Sequence, residues 1–143
     1  MADEPVSSLD VAVQAEILAL LRELRQRHGI AFLFISHDLR IVASLCDRVA
    51  VMYLGKIMEI LPASQIKDAT HPYTVALLSA VPIADPSQKK ERIVLKGDVP
   101  SPVNIPRGCP FHTRCRHKED VCEKKEPVLE EKKIGRFTAC HFF

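Results

Sequence analysis

Along the first third of the chain, apolar residues fall at helical spacing and then close up into a continuous run. Val13, Ile17, Leu20, Leu21 and Leu24 lie three or four positions apart, the stripe of an amphipathic helix. Asp10 stands where a helix cap belongs, Arg25, Arg27 and His28 fill the last turn, and Gly29 supplies the stop. Residues 30–35 are an unbroken apolar run of strand length, which predicts a strand buried on both faces. A short helix with Leu39, Val42, Ala43 and Cys46 on one side is expected next, then a second buried strand over residues 48–54. Gly55-Lys56 predicts a hairpin into residues 57–60, and two short helices are expected at about 62–68 and 72–80. Strands alternating with helices predict an α/β chain with buried parallel strands.

From Val81 the texture changes. Seven of the 10 prolines lie beyond that point, and residues 82–107 read as an extended arm with little regular structure. The expected organisation is an α/β part over 1–80, an arm over 81–107 and a compact cysteine-rich segment over 108–143.

Composition narrows the choice. At 143 residues, 47% hydrophobic and 27% charged, the chain has ordinary globular composition, and its net charge of +2 makes no case for nucleic acid or membrane. The charge is uneven: residues 1–84 carry 7 basic and 9 acidic side chains, residues 85–143 carry 13 and 9. No apolar run approaches a membrane span, and no secretion signal is expected at the N-terminus. Five cysteines without such a signal point to a reducing compartment, where clustered cysteines are more often metal ligands than disulfides.

Two short stretches carry candidate chemistry. Asp3-Glu4 precedes Ser7, Ser8 and Asp10 just ahead of the first helix, and adjacent carboxylates can divide metal holding from orientation of a nucleophile. The first apolar run ends in Ser36-His37-Asp38, where α/β sheets place ligand chemistry. Alone, each would be an ordinary solvated group. In this order, with a helix between them and DRVAVMYLGKIME after them, they resemble the second half of the ABC-transporter ATPase domain.

That resemblance implies an incomplete P-loop NTPase sheet serving ATP and Mg²⁺. Asp3 would help hold Mg²⁺ and Glu4 would polarise the attacking water. Ser8 and Asp10 would lie in the loop that faces a second ATPase subunit, and His37 would touch the γ-phosphate. These roles suit phosphoryl transfer, which rests on positioning and charge stabilisation. The sequence contains no G-x-x-x-x-G-K-[ST], so ATP turnover by this chain alone is not expected. A sheet lacking its central strands also exposes apolar edges, so oligomerisation or aggregation of the bare chain is expected. Residues 71–82, HPYTVALLSAVP, are similar to a stretch marking oligopeptide and dipeptide importers in that family. Residues 92–102 extend the likeness, toward the second of the two ATPase subunits. The implied setting is peripheral, on the cytoplasmic face of the membrane, with permease partners, an indirect peptide-binding protein and no nucleic acid.

Cys109, Cys115, Cys122 and Cys140 are spaced by five, six and seventeen intervening residues, unlike the paired spacing of a zinc ribbon. Four cysteines in a loop-rich segment point to thiolate ligation, which suits both iron–sulfur and zinc. The importer family carries a similar tail, which in some members holds a [4Fe–4S] cluster; the irregular spacing favours that over Zn²⁺. Arg107, Arg114, Arg116 and Lys118 would offset the thiolate charge, His112, His117 and His141 are read as bystanders, and Cys46 as core. Two other functions fit parts of the pattern: a stand-alone metal-binding interaction module, and a fragment of an ABC-type DNA-repair ATPase.

Overall fold

The computed structural model describes residues 1–82 and 92–143, which fall into two units, Met1–Asp47 and Arg48–Phe143. In the first unit, strand β1 (Ala2–Asp3) pairs in parallel with β2 (Phe34–Ile35), and helices α1 (Val11–His28) and α2 (Leu39–Leu45) follow β1 and β2. Asp10 caps α1 by accepting from the backbone N–H of Ala12 and Val13, each at 3.0 Å, and such a cap is worth about 1 kcal/mol. Gly29 ends the helix in the left-handed region at φ 61°, and its N–H returns to the Arg25 carbonyl.

The inward face of α1 differs from the expected stripe. Leu18 is buried, with Gln14, Ile17, Leu21, Leu24 and Arg25 beside it, while Val13 and Leu20 are exposed. The reason lies partly in Arg25, whose guanidinium donates to the Leu45 carbonyl and to Asp47 at 3.0 Å and so rolls the helix toward α2. The run 30–35 also differs. Only Phe34–Ile35 is strand and only Phe34 is buried, with Leu33 62% and Ile35 41% exposed, so the two-residue β1 covers little of it.

The second unit corrects the expectation of a parallel sheet. Its four strands run β3 (Arg48–Tyr53), β4 (Lys56–Pro62), β6 (Arg136–Thr138), β5 (Glu130–Lys133), every neighbouring pair antiparallel. The fold is mixed α/β, and among the described residues parallel pairing is confined to β1–β2. Two residues explain the switch. Leu54 and Gly55, at φ 46° and 76°, form a two-residue turn that can join only antiparallel neighbours. β3 accordingly alternates, with Val49, Val51 and Tyr53 inward and Arg48, Ala50 and Met52 outward, so it is not buried on both faces.

Opposite the step from Val51 to Met52, the register slips by one residue, and the bulge turns consecutive Met58 and Glu59 both inward. Met58 enters a core with Tyr53, Cys109, Phe111 and Cys122. Glu59 instead accepts from the Thr70 N–H at 2.8 Å and from the Thr70 hydroxyl. A 3₁₀ helix (Ala63–Asp68) and α3 (Pro72–Ala80) occupy the two positions expected of short helices. Thr74, Ala76 and Ser79 are the buried residues of α3, so small side chains rather than Leu77 and Leu78 make its closest approach. After α3 the described part of the arm, from residue 92, has no helix or strand until the 3₁₀ turn His112–Arg114. It is tied down by the Ile93 N–H on the Ser79 hydroxyl at 2.9 Å; the rest of the arm, residues 83–91, lies outside the described residues. Helix α4 (Asp120–Lys124) precedes the β5–β6 hairpin.

Candidate functional site

The parallel pairing of β1 and β2 sets Ala2 beside Phe34 and Asp3 beside Ile35, so both strands end at the same edge. The Glu4 N–H continues the ladder onto the Ile35 carbonyl at 3.0 Å. Glu4 then takes φ 46°, a left-handed conformation uncommon for a residue with a side chain and enriched at functional sites. From there its carboxylate accepts from the His37 backbone N–H at 3.2 Å and faces His37 Nδ1 at 2.9 and 3.1 Å. Glu4 and His37, 33 residues apart, thus meet in one contact.

The carboxylate decides the histidine's proton. Nδ1 must carry the hydrogen to donate to Glu4, which leaves Nε2 uncommitted to that contact. The Glu4 hydrogen bond, and after it the Glu4 charge, raise the His37 pKa above its ordinary value of 6.5. Interaction with the carboxylate is therefore strongest below the folded pKa and fades as pH rises through it. Glu4→Gln removes the charge and leaves at most a weaker, neutral hydrogen bond. The His37 ring resonance, followed by NMR against pH, is expected to have its midpoint above 6.5 in the parent and to fall toward that value in the variant. An unmoved midpoint would contradict the assigned contact.

Around this pair the other candidates have local tasks. Asp38 caps α2 through the Arg40 N–H at 2.9 Å and pairs with the Arg40 guanidinium at 2.7 Å, which holds its carboxyl below the usual range. The Ser7 hydroxyl donates to the Glu4 carbonyl at 3.0 Å, Asp10 caps α1, and Asp3 and Ser8 are exposed.

In the second unit, Cys109, Cys115, Cys122 and Cys140 all line one cavity, with His71, His112, His117, His141 and Phe111. All four are free thiols. Backbone geometry gathers them: the Cys109 N–H donates to the Cys122 carbonyl at 2.8 Å, and the Ala139 N–H donates to the Met58 carbonyl at 2.8 Å just before Cys140. Gly108, at φ 73°, permits the first contact, because a Cβ there would lie 2.3 Å from the Cys122 carbonyl oxygen. Burial pushes the Cys109 thiol up to about 11 and raises that of Cys115.

An all-thiol donor set of four suits a thiolate-ligated metal. Among the described residues, however, no three His, Cys, Asp or Glu side chains are arranged to hold a single ion. Free space at the cavity centre is about 10 Å³, room for roughly one water. A larger centre would need the thiols to rotate outward. The histidines have other partners: His112 Nδ1 contacts the Cys109 carbonyl, His141 Nε2 the Lys125 carbonyl, and His117 Nε2 accepts from Arg116. Lys118, expected to offset thiolate charge, is paired with Glu123 at 2.7 Å. Cys46, at the end of α2, is half-buried rather than core. The sequence reading missed His71 as part of this cavity, although its place before Pro72 marks a helix cap.

Comparison with known proteins gives the class to which these features belong. Residues 58–122 of the chain match the family model described as the oligopeptide/dipeptide transporter, C-terminal region. Its similarity extends over the whole chain to particular relatives. AppF of Bacillus subtilis, an oligopeptide transport ATP-binding protein, is 49% identical over 146 aligned positions, covering 100% of this chain and 44% of its own length. YkfD of the same organism is 51% identical with the same coverage, and a Brucella ovis protein named for peptide import ATP binding is 53% identical over 98% of this chain. The chain spans less than half the length of these relatives, 44% in each case.

Proposed function

We propose that this sequence is the C-terminal part of the ATP-hydrolysing subunit of an oligopeptide or dipeptide importer. The observation that carries the reading is Glu4 binding His37 where two parallel strands end together. In this reading Glu4 would orient a water while Asp3, its neighbour, would hold Mg²⁺. His37 would contact a terminal phosphate through Nε2, the ring nitrogen that does not face Glu4. The phosphate-binding loop would come from a preceding segment, since this sequence holds none. Ser8 and Asp10 would face a second ATPase subunit, permease subunits would hold the assembly at the cytoplasmic face of the membrane, and a peptide-binding protein would deliver substrate. None of the described helices is long and apolar enough to cross a membrane.

In the same reading Cys109, Cys115, Cys122 and Cys140 hold a [4Fe–4S] cluster, with Zn²⁺ as the alternative thiolate-bound metal. The four-thiol donor set and the shared cavity support the cluster. Its contribution would be structural: four metal–sulfur links stapling a segment with few aliphatic side chains. Iron, zinc and sulfide analysis of the chain purified without oxygen, with an ATP titration on the same sample, tests both halves. The expected result is bound iron and sulfide with no measurable ATP affinity. ATP binding by the chain alone would contradict the first half, and a metal-free chain the second.

A further inference from the structure

Of the four cavity cysteines, Cys109 and Cys122 share more than a wall. Both are buried members of the apolar cluster built on Tyr53, Met58 and Phe111, whereas Cys115 only packs against that cluster and Cys140 is half-buried elsewhere on the cavity. The Cys109 N–H donates to the Cys122 carbonyl at 2.8 Å, and among the described residues no other two of the four share a backbone hydrogen bond. A bond of that length sets the two Cα atoms roughly 5–6 Å apart, inside the span of about 4.4–6.8 Å that a disulfide tolerates. Gly108 keeps the approach open, since a Cβ there would lie 2.3 Å from the Cys122 carbonyl oxygen. Both side chains line a cavity whose free space is about 10 Å³, so little separates its walls.

We propose that Cys109 and Cys122 form a dithiol–disulfide pair, a site of reversible oxidation by small disulfides such as oxidised glutathione. Two cysteine thiols give up their hydrogens and one S–S bond forms within the chain. One S–S bond breaks in the oxidant, and two glutathione thiols leave with the protons. No metal enters this step, which belongs to the chain with its thiols free. A reducing compartment keeps the pair as thiols, and an oxidising shift closes it and withdraws two of the four sulfurs from the cavity. Chain spacing alone favours other links, because Cys115 lies nearer in sequence to each of the two than they lie to one another. A link between Cys109 and Cys122 therefore reports the fold.

The experiment equilibrates the full metal-free chain in mixtures of oxidised and reduced glutathione, quenches with acid and maps the links by mass spectrometry. Trypsin cuts after Arg107, Arg114, Lys118 and Lys124, so residues 108–114 and 119–124 carry Cys109 and Cys122 on separate peptides. These two peptides are expected to emerge joined, lighter than their sum by two hydrogens, and to separate again as the share of reduced glutathione rises. The same equilibration in urea is expected to lose that preference, with links through Cys115 taking over. A folded chain linked mainly through Cys115 or Cys140 would overturn the pair. So would glutathione adducts without an internal link, a link that reduced glutathione does not reopen, or the same distribution of links in urea as in the folded chain.

Discussion

Gly108→Ala is expected to destabilise the Arg48–Phe143 unit by about 2–5 kcal/mol, far beyond the usual effect of one methyl group. Part of that is conformational, since φ 73° lies in the left-handed region, where a Cβ costs about 1–2 kcal/mol. The rest is contact. The new Cβ would lie 2.3 Å from the Cys122 carbonyl oxygen and 2.7 Å from the Glu123 carbonyl carbon, both backbone atoms that cannot swing aside. Relief requires separating the two segments and breaking the Cys109–Cys122 hydrogen bond, a buried loss of about 1–3 kcal/mol. Gly97 is the matched control: its φ is 74°, and nothing lies within 4 Å of a Cβ placed there. Gly97→Ala should show the conformational cost alone. Denaturant midpoints of the two variants measure the difference, and equal losses would contradict the close approach at Gly108.

How much could be read beforehand depended on whether a signal was local. The cap at Asp10, the stop at Gly29, the turn at Gly55 and the helix opened by Pro72 are each set by a few neighbouring residues. Partners remote in sequence set what was misread. Residues 30–35 are as apolar as a central strand, but β2 meets only the two residues of β1, so most of the run is left exposed. The β5–β6 hairpin escaped notice because Glu130–Lys133 is wholly charged, a composition that protects an edge strand from further pairing and hides its strand character. For the candidate site, residue types and their order pointed to Glu4 and His37, and the fold brings them to 2.9 Å. The cysteines were visible as a set, but their convergence depends on Gly108, on the bulge that turns Met58 inward and on the Ala139 contact with Met58. None of these can be derived from spacing.

The second large effect concerns Glu4. If its carboxylate orients the attacking water, replacing it with an isosteric amide removes proton acceptance while keeping size and hydrogen-bonding reach. Loss of such a group costs about 10²–10⁴-fold in turnover. ATP affinity should survive, because binding would rest on the phosphate-binding loop of the preceding segment. His37→Ala should likewise slow turnover, since the imidazole would no longer contact the phosphate or hold Glu4. The Gln variant keeps an oxygen to accept the His37 backbone N–H, so the edge itself should persist.

A chimera joining the remaining N-terminal part of AppF to this chain makes the decisive measurement possible, since the chain covers the last 44% of AppF's length at 49% identity. Its steady-state ATP hydrolysis is expected to fall by at least about 100-fold on Glu4→Gln, with nucleotide binding by equilibrium titration unchanged. A Glu4→Gln chimera that hydrolyses ATP at the parent rate would show that this carboxylate does not serve the reaction.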